Sequence, residues 1–102
     1  MSLCMSTARE RPEERLVRRA FKLRARGENR RSMLVLREAC HRQELDARLW
    51  TLYAAQCLRI AHCEEARAAF AHAIWLRERD RDYARARTTR IVLERLHAER
   101  AA

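Results

Sequence analysis

The chain has 102 residues and a formal net charge of +9, from 23 Lys and Arg residues against 14 Asp and Glu residues. This length allows a single domain near the lower limit of what folds alone. One glycine and one proline, with abundant Ala, Leu, Arg and Glu, argue for an all-helical chain with short connections. Lys22 is the only lysine, so the arginine excess has two interpretations: a nucleic-acid or anionic partner, or coding bias in a GC-rich genome.

Residues 1–11 are polar and lack hydrophobic periodicity, which predicts a disordered N-terminal tail. They contain no apolar run of signal-peptide length. No uncharged stretch of the chain reaches the ~20 residues that span a bilayer, so no membrane span is predicted. A cytoplasmic location is therefore expected, and the four cysteines, which show no CxxC spacing, are expected to be reduced.

The first helix is predicted over about residues 12–26. Pro12 is tolerated in a first helical turn, and Gly27 is a left-handed stop just after the last turn. Apolar residues at spacings of four and three form the inward face: Leu16, Ala20 and Leu23.

Four further helices are predicted after short polar turns. Their approximate ranges are residues 28–41, 46–60, 62–77 and 83–97. Asp46 has a carboxylate that can accept hydrogen bonds from the free amides at the start of the third helix. Trp75, late in the fourth helix, lies either in the core against the fifth helix or at an exposed contact, and the core is the expectation.

Residues 47–80 show an ordered pattern of large and small side chains. Trp50 opens the first helix of this stretch and Ala54 follows one turn later. The second helix alternates small, large and small residues: Ala66, Phe70 and Ala73. Helices cross closely only where small residues face bulky ones. The pattern resembles the tetratricopeptide repeat (TPR), whose signature is Trp, Leu, Gly and Tyr followed by Ala, Phe and Ala over ~34 residues.

The resemblance is incomplete at four positions. Tyr53, Ala54, Cys57 and Glu78 stand where the family has Leu, Gly, Tyr and Pro. A shift of one period backwards places residues of similar size on the same positions: Leu16, Ala20, Ser32, Leu36 and Ala39.

The resemblance implies an all-α fold, built from antiparallel helix hairpins of an α-solenoid, with about five helices. Residues 13–46 and 47–80 would be two repeats and residues 81–98 a capping helix, within a single domain of residues 12–98. Because two repeats fall below the three that usually give a stable solenoid, marginal stability or self-association is expected.

In this family, the first helices of successive repeats line a concave groove that binds partner peptides. Carrying the lining positions over residue by residue implies the following groove: Val17, Phe21, Arg24, Arg48, Thr51, Leu58, Arg59, Arg85 and Val92. The apolar members would contact apolar side chains, and the arginines would pair with carboxylates. An acidic, partly hydrophobic peptide is the expected ligand. The alternative is that these arginines are merely solvated.

The resemblance implies a non-enzymatic protein–protein interaction module that acts as an adaptor, scaffold or chaperone-like protein. Val17 and Phe21 stand where chaperone-binding members have the Lys and Asn of a carboxylate clamp, so that activity is not expected. The alternative function is binding of nucleic acid or another anionic surface through the basic helical faces.

No enzymatic constellation, cofactor site or metal site is predicted. Cys57, His62, Cys63 and His72 are close in sequence but do not follow a zinc-ligand spacing, so packing is favoured. Adjacent glutamates such as Glu64 and Glu65 point in different directions on a helix and do not form an acid/base pair.

Overall fold

The described residues of the computed structural model, 10–101, form five α-helices and no strand. Apart from its last two residues, the predicted tail of residues 1–11 lies outside this range. The helices are α1 (Pro12–Ala25), α2 (Asn29–Arg42), α3 (Ala47–Arg59), α4 (Cys63–Arg79) and α5 (Tyr83–Ala101). The all-α prediction with five helices is therefore confirmed.

The helix boundaries follow local signals in the sequence. Pro12 occupies the first turn of α1, and Asp46 accepts from the backbone amides of Arg48 and Leu49 at 3.0 and 3.4 Å. The fifth helix continues to Ala101, beyond the predicted end near residue 97, because no glycine or proline interrupts it.

Each helix packs against the helices that precede and follow it in the chain. Among the described residues, α1 contacts α2, α2 contacts α3, α3 contacts α4 and α4 contacts α5, with no backbone approach between more distant helices. The resulting body measures 56 × 35 × 18 Å. Its radius of gyration is 15.0 Å, against about 13 Å for a compact domain of 100 residues. The row of helices is elongated and thin.

Pairs of core positions that lie one 34-residue period apart have the same burial. The pairs are Ala20 and Ala54, Ser32 and Ala66, Leu36 and Phe70, and Ala39 and Ala73, and all eight side chains are buried. In the first hairpin the hydroxyl of Ser32 also donates to the Ala20 carbonyl at 2.8 Å. Small residues therefore lie where the helices of each hairpin approach most closely.

The turns that end α1 and α3 have the same conformation. Gly27 has a φ of 82° and Ala61, 34 residues later, has a φ of 61°. Arg81, after α4, has a φ of 61° as well. In each case an amide closes the turn on a carbonyl five residues earlier: Glu28 on Leu23 at 2.9 Å, His62 on Cys57 at 2.9 Å, and Asp82 on Arg77 at 2.7 Å. These are left-handed helix stops of the Schellman type.

The prediction that Trp75 lies in the core is wrong. Its side chain is 56% exposed, and its ring stacks on His72 with centroids 6.0 Å apart. Trp75 follows Ala66 by nine residues, which is a net rotation of about 180° around the helix. It therefore lies on the side of α4 opposite Ala66, which is buried at the crossing with α3. The contacts with α3 and α5 are filled by smaller residues and Phe70, so the indole remains outside.

No helix among the described residues is both long enough and apolar enough to pass through a bilayer.

Candidate functional site

Three of the predicted groove residues line one depression between α1 and α3. Val17 is 4% exposed and lies at its floor, whereas Phe21 is 38% exposed. Arg48 approaches from α3. The complete lining is Glu10, Glu14, Val17, Arg18, Phe21 and Arg48, around a volume of about 410 Å³. An aromatic ring and a guanidinium therefore border the same apolar floor.

An ion pair joins α1 to α3 at the edge of this depression. The Arg48 guanidinium donates to Glu14 at 2.9 Å, across 34 residues of sequence. Both side chains are about half exposed, so solvent screening limits the contribution of the pair to well under 1 kcal/mol. The pair is therefore weak enough for Arg48 to exchange Glu14 for another carboxylate.

A second depression adjoins Arg48 on its other side and brings it close to Arg85 of α5. Its volume is about 580 Å³, and its lining is Gln43, Leu45, Asp46, Ala47, Arg48, Arg77, Asp80, Asp82 and Arg85. Arg85 donates to Asp82 at 3.0 Å. Hydrogen bonds from Arg85 lower the pKa of the Asp82 carboxyl, which keeps it charged. The lining of this depression therefore contains both carboxylates and guanidinium groups.

The remaining predicted groove residues line neither depression. Arg24 of α1 lies 4.9 Å above the ring of Phe21 and extends the first depression as a cation–π contact. Thr51 turns back to its own helix and donates to the Ala47 carbonyl at 2.9 Å. Leu58 is partly buried against the core, Arg59 is exposed, and Val92 of α5 is 37% exposed.

Cations are concentrated on the outer side of α1, away from α2. They recur at helical spacing and are all exposed: Arg15, Arg18, Arg19, Lys22 and Arg26. Arg18 pairs with Glu10 at 2.8 Å, and Arg26 lies 3.8 Å from Glu28. This basic face is the strongest candidate for contact with an anionic partner.

The three thiols among residues 10–101 differ in their exposure to solvent. Burial raises the pKa of the Cys40 thiol to about 12, and burial also raises the pKa of Cys57. Both are therefore neutral and inaccessible at physiological pH, whereas Cys63 is exposed. In the part of the chain that the structure describes, no group of three or more His, Cys, Asp and Glu side chains is placed to hold a metal ion.

Sequence reasoning missed a third depression, lined by residues of α2, the turn after it, α3 and α4. The Trp50 ring lies against His72 with centroids 4.7 Å apart and the planes at 78°. Its indole N–H donates to the Glu44 carbonyl at 2.8 Å. The repeat pattern assigns Trp50 to a packing role, so its polar and aromatic surroundings gave no separate signal.

No protein-family model, no curated protein and no solved structure matches this chain. The residues that line the three depressions are therefore the basis for assigning a function to them.

Proposed function

We propose that the chain is a non-enzymatic protein-interaction module of the tetratricopeptide type, which binds a peptide segment of a partner along the side where α1, α3 and α5 begin. The observation that carries this proposal is the placement of Arg48. It borders one depression together with Val17 and Phe21, and a second one together with Arg85. A peptide that lies across Arg48 would contact all three of these helices.

Two properties of the fold support the repeat interpretation. Within the described residues, each helix approaches only its neighbours in sequence at the level of the backbone, which is the contact pattern of a stacked repeat array. The hairpins α1–α2 and α3–α4 also bury corresponding residues and end their first helices with the same left-handed turn. A row of this kind presents its odd-numbered helices on one side and its even-numbered helices on the other.

The charge arrangement indicates which residues would recognise the peptide. Arg48 and Arg85 already have carboxylate partners, so a peptide carboxylate competes for them. Of the groove arginines, Arg24 and Arg59 form no ion pair within residues 10–101, so no carboxylate of this range competes with a peptide for them. Phe21 offers an apolar anchor next to Arg24. Exposed charges of this kind contribute more to association rate and selectivity than to affinity.

The test is a pull-down from the native host with the Phe21→Ala/Arg59→Ala variant. We expect it to recover its partners at about one tenth of the wild-type level or less, because one aromatic anchor and one cation are lost. The matched control is Tyr83→Ala/Arg87→Ala, which removes one aromatic side chain and one arginine from exposed positions outside both depressions. Recovery of the same partners at an undiminished level with the first variant would contradict the groove assignment.

The second candidate function is nucleic-acid binding, favoured by the basic outer face of α1. In that case affinity for a 20-base-pair duplex falls steeply with salt concentration, and Arg19→Gln/Lys22→Gln reduces the salt slope by about two. The Phe21→Ala/Arg59→Ala variant would bind the duplex almost as well as the wild type. A flat salt dependence eliminates this candidate.

A further inference from the structure

The third depression lies on the side of α3 away from the proposed groove. Its lining is His41, Glu44, Trp50, Tyr53, Glu65, Ala68, Ala69 and His72, around a volume of about 520 Å³. Trp50 follows Arg48 by two residues, which is a rotation of about 200° around the helix. The two surfaces can therefore be occupied independently.

Aromatic side chains form one wall of this depression. The rings of Trp50 and Tyr53 have centroids 6.2 Å apart at 76°, and His72 packs against Trp50 edge to face. The hydrogen bond from the indole to the Glu44 carbonyl fixes the orientation of the Trp50 ring. Ala68 and Ala69 are small and leave space beside the rings. A rigid aromatic wall next to open space is suited to a flat or cationic group.

The two carboxylates of the lining, Glu44 and Glu65, have no arginine partner within residues 10–101. Within residues 10–101, every carboxylate forms an ion pair or caps a helix, with four exceptions. The exceptions are Glu44, Glu65, Glu94 and Glu99. Glu44 and Glu65 both line this depression, and no Arg or Lys does. A protein with a net charge of +9 thus has a local surface that combines two carboxylates with aromatic rings, with Arg37 near Tyr53 but outside the lining.

We propose that this depression binds the arginine side chain of a basic peptide segment from a protein partner. A guanidinium can stack on the aromatic wall while its N–H groups donate to Glu44 or Glu65, and it is less costly to desolvate than an ammonium. The proposal does not depend on the groove, which favours the opposite peptide charge. The chain would then contact acidic and basic segments on opposite sides of α3.

The test is an NMR titration of the chain with the acetylated and amidated tripeptide Gly-Arg-Gly. We expect saturable shifts of the Trp50 indole N–H with a Kd of about 1 mM, as for a single side chain in a shallow site. The same tripeptide with citrulline, which keeps the shape of arginine without the charge, should bind at least about tenfold more weakly.

Two double variants separate a specific site from general electrostatic attraction. Glu44→Gln/Glu65→Gln should weaken binding of the arginine peptide by about tenfold or more. Glu94→Gln/Glu99→Gln makes the same change of net charge at the other two unpaired carboxylates, on α5, and should leave binding unchanged. The proposal is overturned if both variants lose affinity equally, if the citrulline peptide binds as well, or if the shifts do not saturate.

Discussion

For three of the helices, the backbone conformation of one residue decides where the helix ends. Gly27, Ala61 and Arg81 adopt positive φ angles, and only the first of them is a glycine. A side chain in the left-handed region costs about 1–2 kcal/mol through contact between Cβ and the following carbonyl oxygen. A Cβ at Gly27 would have nothing within 4 Å, so only its backbone conformation favours glycine there. The strain at Ala61 is offset by the packing of the helices that it connects.

Replacement of Ala61 by glycine should therefore stabilise the protein by about 1 kcal/mol, after the entropy that glycine adds to the unfolded state is subtracted. Gly27→Ala should destabilise it by a similar amount. Urea denaturation followed by circular dichroism measures both changes. The control Ala71→Gly, at an exposed position inside α4, should cost about 1 kcal/mol. A stability loss on Ala61→Gly would contradict the strain assigned to this turn.

Alkaline pH should destabilise the fold because the Cys40 thiol and the Tyr53 hydroxyl are buried in their protonated forms. Burial raises the pKa of Cys40 from 9.0 to about 12 and that of Tyr53 from 10.0 to about 12. Below about pH 8 both groups are almost fully protonated in the folded and unfolded states. Between pH 9 and 12 the unfolded state loses these protons first, so the free energy of unfolding decreases as the pH rises, by up to about 1.4 kcal/mol per pH unit for each group.

The Cys40→Ala variant isolates the contribution of one thiol to this dependence. Its free energy of unfolding should decrease less steeply than that of the wild type between pH 9 and 11, measured by urea titration at several pH values. Cys63→Ala, which removes an exposed thiol, should keep the wild-type slope. Equal slopes for the wild type and Cys40→Ala would show that burial does not perturb this thiol.

Pairs of helices are held together by crossings at small residues. Ala54 and Ala66 are both fully buried at the contact of α3 with α4, and Phe70 fills the space beside them. Protein interiors are packed densely enough that one added side chain of this size cannot be accommodated without movement of the backbone. The crossing distance, more than the intrinsic helix propensity, therefore determines whether the hairpin forms.

The substitution Ala66→Leu tests this crossing directly. We expect a loss of about 1–3 kcal/mol in the free energy of unfolding, because the larger side chain forces α3 and α4 apart. Ala71→Leu adds the same atoms at an exposed position of α4 and should change stability by less than about 0.5 kcal/mol. Thermal denaturation of the two variants gives the comparison. A well-tolerated Ala66→Leu would argue against close packing at this position.

The helices could be predicted because their signals are local. Periodicity, Asp46 and Gly27 indicated where helices begin and end, and the size pattern indicated which faces are buried. Ala61 has no such signal, since alanine does not favour a positive φ. Trp75 was misplaced because its size suggested burial, whereas its position on the helix decides its exposure.

The overall molecule is a row of helices. Helices that are not consecutive in the chain meet through side chains, as α1 and α3 do. The prediction placed Val17, Phe21 and Arg48 on one side, and the structure brings them into one depression, since helix geometry fixes the side that each residue occupies. The ion pair between Glu14 and Arg48 depends on the relative position of helices that are not neighbours, so the sequence did not predict it. The aromatic and acidic depression was missed because the repeat pattern assigned Trp50 to a packing role.

The most direct test of the account is amide hydrogen exchange of the chain, alone and in complex with a partner segment identified by the pull-down. We predict slower exchange around Phe21 in the second half of α1 and around Arg48 and Arg85 in the first turns of α3 and α5, with unchanged exchange in α2. Slower exchange confined to α2 and α4, with no change near Arg48, would contradict the assignment of the binding surface.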